Sequence, residues 1–162
     1  MAVAVLKRPV SFLWLLGVLL AAVLTACSPA ATPTSAPLPT ATPIPTVKVS
    51  MLVQVSETDQ RWFRNVVVNK GTNAYELTEK VTEGKLKSQW YPIYRSHFIE
   101  SIFDVAGKGN NYWLSYVWDE SEKKWTSLPV GADLYSLHDG HVLAWAYVDT
   151  AANPPKVPAS TP

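Results

Sequence analysis

The chain has 162 residues, a single cysteine and a formal net charge of +1 with histidine neutral. One cysteine excludes an internal disulfide framework, and a near-neutral chain without a basic stripe argues against nucleic acid as a partner. The central region, about a hundred residues long, has the size of one domain rather than two.

The first residues have the pattern of an export signal. Lys7 and Arg8 precede the apolar run Val10–Leu24, which is shorter than the roughly 20 residues of a membrane span and fits the apolar core of a signal peptide. The following Leu24-Thr25-Ala26-Cys27 resembles the lipobox of bacterial lipoproteins. In that family the cysteine thiol receives a diacylglyceryl group and becomes the new N-terminus.

The resemblance therefore implies that residues 1–26 are removed and that a lipid on Cys27 anchors the chain to a bacterial membrane, on the extracytoplasmic side. Loss of Lys7 and Arg8 changes the formal charge from +1 to −1. Two other interpretations remain: an ordinary signal peptide that contains a cysteine, and an uncleaved membrane anchor.

Proline-rich sequence lies on both sides of the central domain. Residues 27–46 are mostly Pro, Thr, Ala and Ser, a composition typical of an extended, semi-rigid spacer. Residues 151–162 have a similar composition, and we expect them to form a disordered tail. The folded domain is thus predicted to span residues 47–150.

Within this domain, alternating and β-branched patterns predict strands and one helix. Val47–Val55 alternates apolar and polar residues except at Leu52, and Asn73 with Glu76 has the spacing of a capping box for a helix that ends near Gly84. The predicted elements are strands at Val47–Val55 and Trp62–Val68, a helix at Asn73–Glu83, and strands at Tyr94–Val105, Tyr112–Trp118, from Trp125, and His141–Asp149. One short helix on a mixed or antiparallel sheet is an α+β fold.

Several aromatic residues are expected to stay partly exposed, because one helix cannot cover both faces of the sheet. Phe98 and Ile102 are predicted to share one face of their strand. Leu143, Trp145 and Tyr147 should point inward, beneath the helix. The candidates for exposure are Trp90, Tyr91, Tyr112 and Trp125.

Polar clusters give little indication of metal binding or catalysis. His138 and His141 could hold a metal, but they flank Asp139-Gly140, which already has the pattern of a tight turn. Asp119, Glu120 and Glu122 could bind a hard cation, but a solvated hairpin tip explains them equally well. Because no catalytic motif is recognisable, the sequence predicts a protein that is not an enzyme and needs no cofactor or metal.

Four segments in order resemble the transcobalamin-like C-terminal domain, a β-grasp module of bacterial surface proteins. They are Gly71–Leu77, Phe98–Ile102, Tyr112–Tyr116, and Gly131–Tyr135 with His138–His141 and Leu143–Trp145. Two loops depart from the family pattern: Phe103–Ala106 intervenes before Gly107, and an acidic hairpin follows Trp118. Because loops usually set ligand specificity, these departures argue more against a shared ligand than against a shared fold.

The resemblance implies a single β-grasp-like domain and a corrinoid such as cobalamin as its ligand. In animal cobalamin carriers a separate helical domain completes the site, and this chain has no such domain. The leading hypothesis is a non-catalytic, surface-tethered ligand-binding module. The alternative is an envelope protein-interaction or adhesion module without a small-molecule ligand.

A ligand is expected on the loops and on the sheet face that the helix leaves open. The loop Gly107–Asn111 offers flexible backbone and the amide groups of Asn110 and Asn111, and Tyr112 follows with a flat apolar ring. Trp90 and Tyr91, before Pro92, are expected on a nearby loop. The alternative is that Gly107–Asn111 is only a hairpin turn.

We predict that the mature protein begins at lipidated Cys27. Mass spectrometry of the membrane-extracted chain should show a start at Cys27 with added acyl mass, and Cys27→Ser should remove that mass. A soluble, unmodified chain that retains Met1 would contradict the prediction.

Overall fold

A computed structural model describes residues 43–162 as eight strands, one α-helix and one 3-10 turn. The predicted signal peptide, Cys27 and most of the predicted linker lie outside the described residues. Residues 43–162 lie within one compact unit. Between residues 43 and 162 no helix is long and apolar enough to cross a membrane.

The strands form a five-stranded mixed sheet and a small antiparallel sheet, so the predicted α+β class with one short helix is confirmed. The large sheet has the order β2-β1-β8-β6-β7, with β1 and β8 parallel, and the small sheet has the order β3-β4-β5. The elements are β1 (Thr46–Gln54), β2 (Gln60–Asn69), α1 (Ala74–Thr82), β3 (Leu86–Tyr91), β4 (Ser96–Ile102), β5 (Val105–Ala106), β6 (Asn111–Asp119), β7 (Lys124–Ser127), a 3-10 turn (Ala132–Leu134) and β8 (Val142–Asp149).

Helix α1 begins at the predicted capping box. The Glu76 backbone N–H donates to Asn73 Oδ1 at 2.8 Å, and the Asn73 N–H donates to Glu76 Oε2 at 2.9 Å. Both bonds satisfy donors that a helix N-terminus leaves without partners. The helix ends at Glu83, which has a left-handed conformation with φ 50°.

The main core lies between α1, the small sheet and one face of the large sheet. Val49, Met51 and Val53 of β1 meet Leu77 of α1 and Trp145 of β8 there. Trp145 Nε1 donates to Thr78 Oγ1 at 2.8 Å, and the Thr78 hydroxyl donates to the Ala74 carbonyl at 2.7 Å. Because this chain of hydrogen bonds ends on the helix backbone, the buried indole leaves no polar group without a partner.

The other face of the large sheet is also covered, by residues Ala151–Pro162, which we call the strap. Trp125 Nε1 donates to the Ser160 carbonyl at 2.8 Å, and the Tyr116 hydroxyl donates to the Lys156 carbonyl at 3.1 Å. Residues 151–162, expected to form a disordered tail, thus make defined hydrogen bonds with the large sheet. The donors are side chains of the sheet that the strap covers, and the composition of the strap alone does not reveal them. Trp125, expected to be exposed, keeps only 6% of its surface accessible.

The small sheet differs most from the sequence-based expectation. The predicted strand Tyr94–Val105 is two strands, β4 and β5, joined by a tight turn at Phe103 and Asp104, both with positive φ. Strand β3 was not predicted, because its central residues Lys87, Ser88 and Gln89 are polar.

A β-bulge also changes which side chains share a face of β4. Lys87 pairs with Ser101 and Ser88 pairs with Ile99, which leaves Glu100 as an extra residue. An extra residue reverses the alternation of the side chains beyond it. Phe98 is therefore exposed while Ile102 is buried, and the prediction that they share a face is wrong.

We predict that Asn73→Ala lowers the free energy of unfolding by about 1 kcal/mol, because it removes the side-chain oxygen that accepts from the Glu76 N–H. Urea unfolding followed by circular dichroism measures the change. Glu76→Gln is the matched control, since an amide oxygen can still accept from the Asn73 N–H. Equal stability of Asn73→Ala and the parent would contradict the role of the cap.

Candidate functional site

Three aromatic side chains form a partly exposed band, which we call the aromatic surface: Tyr91 of β3, Phe98 of β4 and Tyr112 of β6. The rings of Tyr91 and Phe98 meet edge to face with centroids 6.3 Å apart, and those of Phe98 and Tyr112 lie 6.1 Å apart. Their accessible fractions are 38%, 44% and 37%. Contiguous apolar rings left open to solvent are typical of a binding surface.

Gly107 fixes the position of the Tyr112 ring. A Cβ atom at Gly107 would lie 2.9 Å from Cδ1 of Tyr112 and 3.1 Å from its Cε1. These distances are too short for an unstrained contact, so only glycine lets the ring lie against this backbone.

The loop that precedes Tyr112 is a hydrogen-bonded turn. Lys108 and Asn111 exchange two backbone hydrogen bonds of 3.0 Å, and Gly109 between them has a φ of 62°. The Asn110 carbonyl accepts from the Thr150 N–H at 2.9 Å and from the Thr150 hydroxyl at 2.8 Å. The Asn110 side chain is exposed and that of Asn111 is half-buried. The turn thus fixes the backbone that leads into Tyr112, while the Asn111 side chain, adjacent to Tyr112 in β6, lies on the opposite face of that strand.

The predicted ligand-binding residues are only partly brought together. Tyr91 and Tyr112 flank Phe98 on the aromatic surface, and Asn110 and Asn111 adjoin it along the chain. Trp90 lies on the opposite face of β3, because adjacent side chains of a strand alternate. Both Trp90 and Tyr91 belong to β3 rather than to a loop, which corrects the expectation from the sequence.

Trp90 belongs instead to a second aromatic group around His97. The His97 ring stacks on Tyr75 with centroids 4.0 Å apart and planes within 7°, and Trp90 lies 5.1 Å from it. Sequence reasoning did not find this group. The strand containing His97 was recognised, but its partners come from α1 and β3.

Asp133 holds His97 in place. His97 Nδ1 lies 2.7 Å from Asp133 Oδ1, while Asp133 Oδ2 accepts from the His97 N–H at 2.7 Å and from the Ser96 hydroxyl at 2.9 Å. Burial alone would raise the pKa of the Asp133 carboxyl, but these hydrogen bonds outweigh it and the pKa is lowered. The carboxylate is therefore the stable form in the fold.

Gly131 allows this arrangement. A Cβ atom there would lie 2.3 Å from Ser96 Oγ, so the chain can approach β4 only without a side chain. The Gly131-Ala132-Asp133 segment, one of the segments that carry the sequence resemblance, thus has a structural role. It fastens the 3-10 turn to the start of β4.

The side chains of the two candidate cation sites have hydrogen-bond or ion-pair partners within the protein. His141 Nδ1 accepts from the His138 backbone N–H at 3.3 Å, which leaves that nitrogen without a free lone pair. Asp119 accepts from the backbone and hydroxyl of Ser121, and Glu120 and Glu122 pair with neighbouring lysines. Among residues 43–162 no group of three or more His, Cys, Asp or Glu residues could hold a metal ion.

No known protein family matches the sequence, and no curated protein matches it. Among solved structures, the chain is similar to haptocorrin in complex with Cbi, with a TM-score of 0.51 and 16% identity over 67% of this chain. The match spans 27% of haptocorrin. A Ruminococcus gnavus protein provisionally described as metal binding matches with a TM-score of 0.48 and 14% identity, over 62% of this chain and 94% of its own. The described domain therefore shares its fold with a region of haptocorrin.

We predict a stability change near neutral pH that depends on His141. Burial, and secondarily the charge of His138, lowers the His141 pKa below its ordinary value of 6.5. Because the folded-state pKa lies below the unfolded one, this contribution is complete above about pH 6.5 and is lost as the pH falls from 6.5 to the lowered value.

Urea midpoints at about pH 7.5 and about pH 5.5 measure this dependence. His141→Phe should reduce the difference between the two midpoints, whereas His138→Gln should leave most of it, because burial is the larger cause. The same difference in the parent and in His141→Phe would show that His141 does not titrate in this way.

Proposed function

We propose that this chain is a non-catalytic, lipid-anchored module outside the cytoplasm that binds a ligand of the corrinoid class on its aromatic surface. The observation that carries the proposal is the exposed series Tyr91, Phe98 and Tyr112, next to the turn that contains Asn110 and Asn111. The lipid on Cys27 remains a prediction from the sequence.

The physical argument starts from the shape of the surface. Three rings at centroid spacings near 6 Å present a broad apolar area, which suits a macrocycle better than a small polar metabolite. The exposed Asn110 amide of the neighbouring turn could accept and donate hydrogen bonds at the polar edge of such a ligand. The fold resemblance to haptocorrin, crystallised with Cbi, supports the ligand class only by analogy.

The arrangement supports weak binding by the described domain alone. The aromatic surface is open to solvent, so a bound macrocycle would keep its other face in water. Ligand sites with high affinity usually bury most of the ligand. A second protein that covers the free face would complete the site.

A second candidate function is docking of an envelope protein at the tip of the β3–β4 hairpin. Ile93 is 84% accessible and Tyr94 is 70% accessible, and the Tyr94 ring lies 6.4 Å from that of Tyr91. Large apolar side chains at an exposed hairpin tip are more typical of a protein contact than of a ligand pocket. Loss of partner binding in Ile93→Ala, with cobalamin binding unchanged, would favour this function.

We predict that the full-length chain in detergent binds cobalamin saturably and that Phe98→Ala and Tyr112→Ala each weaken binding roughly tenfold, because each removes one ring of the aromatic surface. Equilibrium dialysis measures the affinity and circular dichroism confirms the fold. Gly107→Ala should also weaken binding, since it displaces the Tyr112 ring and leaves all three aromatic residues present.

Two controls accompany this titration. Val67→Ala changes an exposed apolar residue of β2, an edge strand separated from the β6 strand of Tyr112 by two other strands, and should bind as the parent does. Tyr112→Phe keeps the ring and should retain affinity. Absence of saturable binding by the folded parent, or equal affinity of Phe98→Ala and Val67→Ala, would overturn the proposal.

A further inference from the structure

Within the strap, two inward-facing prolines are three residues apart. Pro155 is half-buried and Pro158 is buried, while Lys156 and Val157 between them are exposed. Three residues per turn is the period of the polyproline II helix. Pro155-Lys156-Val157-Pro158 therefore turns two prolines, three positions apart, toward the same face of the sheet.

The face beneath the strap is a groove with aromatic walls. Its buried residues include Tyr116, Trp125, Ala144 and Ala146, and Trp62 packs against them. The alanines belong to the central strand β8, whereas Trp62 and Trp125 come from the edge strands β2 and β7. Small side chains in the middle and large rings at both sides leave a depression in which an extended peptide can lie.

The groove contacts the strap backbone through defined hydrogen bonds. Trp125 Nε1 donates to the Ser160 carbonyl at 2.8 Å, and the Tyr116 hydroxyl donates to the Lys156 carbonyl at 3.1 Å. Trp62 Nε1 donates to the Ser160 hydroxyl at 3.2 Å, and the Ala159 N–H donates to Gln54 Oε1 at 2.9 Å. A polyproline II segment has no internal hydrogen bonds, so its carbonyls are free to accept from such donors.

The strap does not fill the groove completely. A cavity of about 560 Å³ remains beside it, lined by Gln54 and Glu57, by the end of β8 and by Lys156 and Val157 of the strap. Lys156 Nζ lies 3.6 Å from Glu57 Oε1, but both side chains are well exposed and the pair contributes little to stability. A peptide with larger side chains at these positions could therefore make more contacts than the strap does.

We propose that this groove is a recognition site for extended proline-rich peptides with prolines three residues apart, and that the strap occupies it in cis. Aromatic walls, indole and phenol donors to peptide carbonyls, and two inward prolines are the features by which such peptides are bound. Because the strap is part of the same chain, it competes for the groove at a high effective concentration. A peptide from another chain can therefore bind only if its affinity exceeds that of the strap, or if the strap has already left the groove. The site is separate from the aromatic surface and does not rest on the proposed function.

The test begins with the full-length chain in detergent, folded with a protease site inserted after Ala151 and then cleaved. A labelled peptide of residues 151–162 should bind the cleaved chain saturably. The same peptide with Pro155 and Pro158 replaced by Ala should bind at least roughly tenfold more weakly, because both inward contacts are lost. A peptide of residues 28–46 is a control from the chain itself, since none of its prolines are three positions apart; it should bind as weakly.

Trp125→Phe tests the hydrogen bond to the peptide carbonyl. It keeps an aromatic ring but removes the indole donor, so affinity for the labelled peptide should fall roughly three- to tenfold. Equal binding of the native and proline-free peptides, or no binding to a cleaved chain that is still folded, would overturn the proposal.

A measurement on the uncleaved chain applies if cleavage unfolds the domain. In the double variant Pro155→Ala, Pro158→Ala the strap should leave the groove, and the indole N–H resonances of Trp62 and Trp125 should shift and exchange faster with water. Pro162→Ala, at an exposed position of the strap, should leave them unchanged. Unchanged indole resonances in the double variant would overturn the proposal.

Discussion

The parallel pairing of β1 with β8 at the centre of the large sheet is the constraint on which the rest of the fold depends. Both strands are paired on both edges, and both carry apolar side chains on both faces. Such strands need a cover on each side of the sheet. Helix α1 and the small sheet cover one face, and the strap covers the other.

Local signals in the sequence predicted much of the fold. The capping box at Asn73 and Glu76 lies within a few residues, and its two hydrogen bonds form as expected. The Asp139-Gly140 turn is similar: Gly140 has a φ of 82° and the His141 N–H donates to the His138 carbonyl at 3.2 Å. In both cases the chemistry of a few neighbouring residues decides the conformation.

Features that depend on distant partners were missed. The strap has a composition typical of disorder, and its order comes from Trp62 and Trp125, which lie 98 and 35 residues away from Ser160. One signal was present in the sequence: Leu52 interrupts the alternation of β1, and it is fully buried beneath the second face. An apolar residue on the supposedly open side of a central strand indicates a second cover.

The candidate site likewise combines residues that local sequence patterns identify with residues that they do not. Tyr91 and Tyr112 could be selected from the sequence because aromatic residues beside turns are recognisable. Phe98, which links them, was expected to share a face with Ile102, since the bulge at Glu100 that separates their faces has no sequence signature. The His97–Asp133 pair also joins residues 36 positions apart. A pattern along one strand cannot reveal either arrangement.

The position of β8 in the chain affects how the protein folds. β1 is the first strand of the described region, but its central partner β8 is the last, and the strap follows it. A chain made from its N-terminus therefore cannot complete the large sheet until β8 has emerged. Until then one edge of β1 lacks its partner, and Trp62, Tyr116 and Trp125 are open to water. Such long-range pairing slows folding and exposes aggregation-prone surface, so the unfinished chain is the form that most needs protection by chaperones.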